Sequence, residues 1–322
     1  MVYQSQFFSA DTLSVAPMLD WTDRHFRYFA RLITHRAMLY TEMIACPALI
    51  LGKKERLLSY HPGENPLTLQ VGGSDPRLMS QCAKMAEDYG YQAVNINAGC
   101  PSDRVQAGRF GAVLMKTPEV VADCVAAMRA AVQIPVTVKT RISLAGVGGD
   151  GFAELLRFAT LAHQAGCRHL IVHARQAKLT LSPEDNRKKL PLNYDTVYKL
   201  KKTFPDMFIT LNGNVLSLAA AREHLAHVDG VMLGRAAYGQ PYMLAAVDKM
   251  FYDDARPVPT RAEVLEKMLP YLEQNKDQLP LITSHMMGLF HGQPNAGAYK
   301  KTLMTRDIQA IRDFCFGLPE NP

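Results

Sequence analysis

The chain has 322 residues, 48% hydrophobic and 20% charged, which excludes a disordered or collagenous polymer and suits one barrel of roughly 250 residues followed by a smaller second domain. Its six cysteines (Cys46, Cys82, Cys100, Cys124, Cys167, Cys315) are scattered without a C-x-x-C pair, arguing against a disulfide framework and against a zinc site, and no metal is expected. A net charge of +6 favours a polyanionic partner without demanding one.

Taken in chain order, Met1 to Asp11 lacks both a basic and an apolar stretch, so no secretory signal is expected. Short β-branched runs then alternate with segments of helical period, the rhythm of repeated βα units. Eight strands are predicted: Leu13 to Pro17, Met38 to Thr41, Leu67 to Val71, Ala93 to Asn97, Val136 to Thr140, His169 to His173, Phe208 to Asn212 and Val231 to Gly234. Helices such as Pro76 to Tyr89, Pro118 to Val132 and Phe152 to Ala165 fall between them, several opening with proline where its missing N–H costs nothing. The longest apolar stretch, Met43 to Leu51, is interrupted by Pro47 and is far shorter than the ~20 residues that span a bilayer. A cytoplasmic protein with no membrane contact is expected, with a monomer as the default. Asp253 to Pro259, with two prolines and two aspartates, reads as a linker after a 1–249 barrel domain. Beyond it, Arg261 to Gln274, Leu281 to Phe290 and Gly297 to Phe316 read as helices, giving a helical domain over 260–322. The expected fold class is therefore α/β, a (β/α)8 barrel with a small C-terminal helical bundle.

In such a barrel the chemistry sits at the C-terminal ends of the strands. Here those ends carry Pro17 and Met18, Glu42, Gln70, Asn97, Lys139, His173, Asn212, and Gly234 with Arg235. A single polar strand end merely meets solvent, whereas a ring of amide, cation and imidazole groups is a candidate site. Asn212-Gly213-Asn214 and Gly234-Arg235 follow strands seven and eight, where such barrels bind phosphate through backbone N–H groups, helix N-termini and a cation. No G-x-G-x-x-G fingerprint follows a strand, so a flavin mononucleotide (FMN) fits better than a dinucleotide. Lys139 and Gln70 are the donor types its N1 and O2 edge needs. His173 could serve the ring or the substrate, with Arg175 on the same face two positions on. Seven Lys/Arg stand against three Asp/Glu from Lys178 to Lys202, and four against one from Leu281 to Arg312.

Asn95-Ile96-Asn97-Ala98-Gly99-Cys100-Pro101-Ser102 resembles the N-x-G-C-P signature of tRNA-dihydrouridine synthases, and Ser14 to Arg24 is similar to that family's opening strand and flavin contact, which includes Pro17, Met18 and Leu19. Val138-Lys139-Thr140-Arg141, His173-Ala174-Arg175, Asn212-Gly213-Asn214 and Gly234-Arg235 resemble further family motifs, and the similarity runs from about Ser14 to Gly292. Leu19 to His25, Ser182 to Arg187 (which contains Asn186) and Met287 to Phe290 look like the DusA subgroup, which acts on D-loop uridines 20 and 20a. The resemblance implies that NADPH reduces FMN, that hydride passes to uracil C6, and that Cys100 protonates C5. A thiol, with pKa about 8.5, is mostly protonated at neutral pH and can play that part. It further implies that Asn97 holds the base, that Lys139 and Arg141 lie near flavin or RNA phosphate, and that the D arm of tRNA is the partner. Arg187, Lys188 and Lys189, with Lys300 and Lys301 in the helical domain, are the candidate cradle for its backbone. Two departures stand out: lysine at 300 and 301 where relatives tend to have arginine, and a short tail after Arg306. An FMN barrel acting on a small molecule, in the manner of dihydroorotate dehydrogenase, is the competing expectation and would need no basic cradle.

Overall fold

The computed structural model describes residues 11–146 and 151–318. The opening segment read above for a signal therefore lies almost wholly outside the described residues. Eight parallel strands close a barrel in sequence order: β1 (Leu13–Val15), β2 (Met38–Ala45), β3 (Leu67–Gly72), β4 (Ala93–Ala98), β5 (Val136–Arg141), β6 (His169–His173), β7 (Phe208–Asn212) and β8 (Gly230–Leu233). All eight predicted strands are present. β1 is shorter than expected because Pro17 offers no N–H, although Ala16 N–H still donates to Leu233 O at 2.7 Å. β2 is four residues longer, and its register against β3 shifts between Tyr40 and Met43. That bulge carries Thr41 and Glu42 to the mouth.

Strand pairing fixes which side chains face inward, because direction alternates residue by residue. Asn97 pairs with Lys139, Lys139 with Ile171, Arg141 with His173, His173 with Asn212, and Asn212 with Met232. The inward positions thus climb from apolar filler (Met38, Tyr40, Ala93, Ile171, Met232) to polar side chains at the C-terminal end. A second, larger apolar layer lies between the barrel and its helices and continues into the C-terminal helices.

Those helices are Arg261–Gln274, Leu279–Met286, Ala296–Thr305 and Ile308–Phe316. The first begins at a capping box in which Thr260 Oγ1 accepts from Glu263 N–H while the Glu263 carboxylate accepts from Thr260 N–H. The single helix expected over Gly297 to Phe316 is two, because Arg306 adopts a left-handed conformation (φ 56°) and ends the first. The bundle docks on the first barrel helix, Arg24–Ile33, through buried His25: Nδ1 lies 2.7 Å from Tyr271 Oη and Nε2 lies 3.0 Å from Gln278 Oε1. Gln278 Oε1 can only accept, so Nε2 carries the proton and Nδ1 accepts from the tyrosine. This contact brings Gln278 and Leu281 to the rim of the barrel mouth. No helix among the described residues is long and apolar enough to cross a membrane.

Candidate active site

The C-terminal mouth opens into a cavity of about 1130 Å³. Its floor is an amide chain. Asn95 Nδ2 donates to Thr137 Oγ1 (2.8 Å), Gln70 Nε2 donates to Asn95 Oδ1 (2.7 Å), and Asn97 Nδ2 donates to Gln70 Oε1 (2.9 Å). Asn97 Oδ1 then accepts from Gly99 N–H (3.1 Å) and Cys100 N–H (3.0 Å). Asn97 is thus largely committed to shaping the loop that carries Cys100, and each of the two amides keeps only one free N–H for a ligand. Gly99 sits so close to β5 that an added Cβ would lie 3.3 Å from the Thr140 carbonyl carbon. Arg141 Nε donates to Gly99 O at 2.9 Å and clamps the same turn. Cys100 is half-buried, and the other five cysteines are buried.

Above β5 to β8 stands a wall of cations: Lys139, Arg141, Arg175, Arg187 and Arg235. Among the described residues none is paired with a carboxylate. Carbonyl-type oxygens serve instead: Lys139 Nζ donates to Asn212 Oδ1 (3.1 Å), Arg141 Nη1 to Gln176 O (3.0 Å), and Arg175 Nη1 to Leu190 O. Arg187 Nε is buried without a hydrogen-bond partner. Burial, reinforced by the Arg141 charge, pulls the Lys139 ammonium down to about 7, and burial pulls Arg141 down to about 10. Burial and the surrounding cations hold His173 well below its ordinary value, so its imidazole is neutral. Arg175 and Arg187 are lowered by burial and then by Arg235.

The glycine turns frame this wall. Gly213 (φ 132°) and Asn214 (φ 55°) both need positive φ, and Tyr194 Oη donates to Gly213 O at 2.8 Å. A Cβ added to Gly234 would meet nothing nearer than Met18 Sδ at 4.0 Å, so that glycine leaves open space inside the cavity. The helix after β8, Arg235–Gly239, has five residues, too few for much of a macrodipole, so charge here comes from arginine side chains.

Across the mouth stand acids. Asp20 N–H donates to a Glu42 carboxylate oxygen, Asp23 caps the helix Arg24–Ile33, and burial raises Glu42 above the usual carboxylate value. Pro17, Met18 and Leu19 lie on this side, in a turn closed by Thr22 N–H to Met18 O at 2.9 Å. Sequence reasoning passed over Asp20, Trp21, Arg56 and Arg104, which also line the cavity. Asp20 and Trp21 lie within the Ser14–Arg24 motif, which gave no reason to single them out, and Arg56 and Arg104 sit on the short helices Lys54–Leu58 and Asp103–Ala107, which carry no readable period.

Four candidates lie elsewhere. Asn186 is buried: Oδ1 accepts from Lys178 N–H (2.8 Å), while Nδ2 reaches Lys178 O (2.9 Å), Leu181 O (2.9 Å) and Ser182 O (3.1 Å). It staples its loop and does not meet a ligand. Lys189 points to solvent and pairs with Asp185 at 3.1 Å. Lys300 and Lys301 are exposed on Ala296–Thr305, outside the cavity. Among the described residues no three His, Cys, Asp or Glu gather as a metal site would require.

Fold and site together define a class: a (β/α)8-barrel enzyme whose mouth sets a held thiol against a wall of cations. The chain belongs to the dihydrouridine synthase family, whose sequence model matches residues 14–311. It is 50% identical over 306 residues to a tRNA-dihydrouridine(20/20a) synthase of Synechocystis sp., covering 94% of this chain and 91% of that one. The enzyme of the same name from Shewanella oneidensis is 51% identical over 296 residues (91% and 88%), and that from Vibrio cholerae 50% over 294 (90% and 89%). Among solved structures, a 2-naphthoyl-CoA reductase in complex with 2-naphthoyl-CoA superposes with a TM-score of 0.58 over 74% of this chain and 50% of that chain. At 11% identity that likeness is of fold alone.

The unpaired wall makes anion binding pH-dependent. Lys139 in the folded chain loses its proton as pH rises through about 7, whereas the unfolded chain keeps it to 10.5. An anion at the wall restores the charge, so binding takes up a proton and weakens as pH rises. Sulfate should therefore raise the melting temperature of the ligand-free protein more at about pH 6 than at about pH 9, and Lys139→Met should flatten the difference. Equal sulfate effects at both pH values in the wild type would contradict this reading of the wall.

Proposed function

We propose that this chain is a tRNA-dihydrouridine synthase acting on uridines 20 and 20a of the D loop, an oxidoreductase that adds hydrogen across C5=C6 of the uracil. The observation that carries the mechanism is Cys100: the one cavity thiol, held by Asn97 and facing cations, in a chain of this family. The family is generally flavin-dependent, and the residues fit FMN. Open space at Gly234, the orphaned Arg187 Nε and five cations without carboxylates are what a phosphate would satisfy. About 1130 Å³ exceeds the usual small-ligand pocket and leaves room for a flavin ring and a base together.

FMN, reduced by NADPH, would supply the hydride to C6. Gly213, Asn214, Gly234 and Arg235 would hold its phosphate. Lys139, Gln70 and His173 would face its ring beside Pro17, Met18 and Leu19. Neutral His173 offers a hydrogen bond without adding a sixth charge, while Lys139, titrating near 7, gains its proton as negative charge develops beside it. Cys100 gives its proton to C5, and the thiolate left behind takes one back from solvent, stabilised meanwhile by Lys139 and Arg141, which lie within electrostatic reach. Asn97 orients the thiol by fixing its backbone. Residues 1–249 would form the catalytic domain and 260–322 a helical tRNA-binding domain. Arg141 and Arg187, whose charges act on Cys100, would with Arg175 meet the substrate at the mouth, and Lys189, Lys300 and Lys301 would meet the RNA backbone farther out.

An unmodified tRNA transcript incubated with NADPH should acquire dihydrouridine at positions 20 and 20a, read by mass spectrometry, and Cys100→Ala should lose about 100-fold or more in rate. Wild-type rate in that variant would remove Cys100 from proton transfer, and turnover of dihydroorotate in place of tRNA would install the small-molecule reading. Gly234→Val fills the open space, so the purified variant should carry less flavin than the wild type; full flavin content would place the phosphate elsewhere.

A further inference from the structure

Nine large hydrophobic side chains are exposed among the described residues, and four of them (Leu19, Trp21, Leu216, Leu281) stand at the mouth of this one cavity. They come from three separate elements: the turn after β1, the loop after β7 and the helix Leu279–Met286. Scattered exposed apolar residues need no explanation, but convergence from three elements on one rim does.

Trp21, the only tryptophan of the chain, is held on both its backbone and its ring. Its backbone is fixed by Trp21 N–H donating to Met18 O at 3.1 Å and by Asp20, in left-handed conformation (φ 64°), donating its N–H to Glu42. One ring face stacks on Tyr238, with centroids 4.5 Å apart and planes 17° from parallel. Tyr238 Oη is 3.1 Å from His285 Nδ1, and His285 Nε2 is 3.2 Å from Asp23 Oδ1. The C-terminal helices thereby hold the tyrosine that holds the tryptophan. The residue remains 36% exposed and lines the cavity.

The charge around it selects the occupant. Asp20, Asp23 and Glu42 line the cavity on the Trp21 side and offset Arg24 there, with Arg27 spent on Glu64, so phosphate finds far less free positive charge on this side than on the opposite one, where five cations gather. A flat, neutral, polarisable surface is what fits here, and in a single-stranded RNA loop that surface is a base.

We infer that Trp21 is a stacking platform for a nucleobase neighbouring the uridine under reduction. This rests on the tRNA reading above. With its ring ordered before binding, the platform catches the unstacked neighbour at little entropic cost while the target base enters the cavity. Trp21 is on this account a positioning residue: it acts on binding of the RNA, and the reacting carbons are served by Cys100.

The lone indole makes the test direct. Adding an unmodified tRNA transcript to the flavin-loaded protein should quench tryptophan emission, and NADPH alone should not. Trp21→Ala should raise KM for the transcript by about 5- to 100-fold with kcat nearly unchanged, the loss expected for one base–aromatic stack. Trp21→Phe should recover most of the affinity, and both variants should keep their flavin and melt as the wild type does. A wild-type KM in Trp21→Ala, a fall in kcat at saturating transcript with KM unchanged, or quenching by NADPH but not by RNA would each overturn the platform. Failure of the wild type to form dihydrouridine at all would count against the underlying tRNA reading, which the same assay reports separately.

Discussion

Five cations gathered at one mouth of a barrel, with no carboxylate among the described residues to pair them, are the constraint around which this site is arranged. Their mutual repulsion and desolvation oppose folding, and the depressed positions of Lys139, Arg141, Arg175 and Arg187 register that opposition. The barrel tolerates them by offering carbonyl oxygens at Gly99, Gln176 and Leu190 and the Asn212 amide oxygen. These satisfy hydrogen-bonding capacity but not charge. What remains is a free energy that an anion releases on binding, so the same side chains that weaken the empty barrel select its ligand.

The floor beneath the wall solves a second problem. A polar layer inside a barrel is costly unless every group is partnered, and the chain Thr137–Asn95–Gln70–Asn97 partners them in series. Its last member, Asn97, spends its oxygen on the amides of Gly99 and Cys100. The position of the thiol is therefore set by strand register four residues deep into the barrel, and Arg141 locks the same turn from the neighbouring strand. On the mechanism proposed above, rigid placement of this kind would keep a weak acid in line with the carbon it protonates.

Much of this was legible in the chain because parallel barrels tie function to position. Once eight strands are assigned, alternation sends Lys139, His173 and Asn212 inward at the chemical end, and the structure pairs His173 with Asn212 while Lys139 pairs with Ile171, one inward position lower on its neighbour. Loop residues follow no such rule. Asn186 sits in a segment rich in lysine and arginine and so resembles a surface contact, yet its amide closes a turn that Ser182 begins. Lys189 is a solvated partner of Asp185, and Lys300 and Lys301 ride on a helix whose facing direction no local pattern specifies. The β2 bulge escaped notice because an inserted residue leaves the apolar run intact while changing which side chain reaches the mouth. Trp21 was visible as a residue but not as a surface, since its partner Tyr238 is distant in sequence.

The central claim is that the wall exists for a phosphate, and one titration addresses it most directly: flavin fluorescence of the cofactor-stripped protein with FMN and, in parallel, with riboflavin, which has the same ring and no phosphate. The account predicts that FMN binds about 100-fold or more tightly than riboflavin, the weight of one or two charge-assisted hydrogen bonds, and that Arg235→Met removes most of that difference. Equal affinity for the two flavins would contradict it, leaving the ring alone to hold the cofactor and the five cations to some other anion.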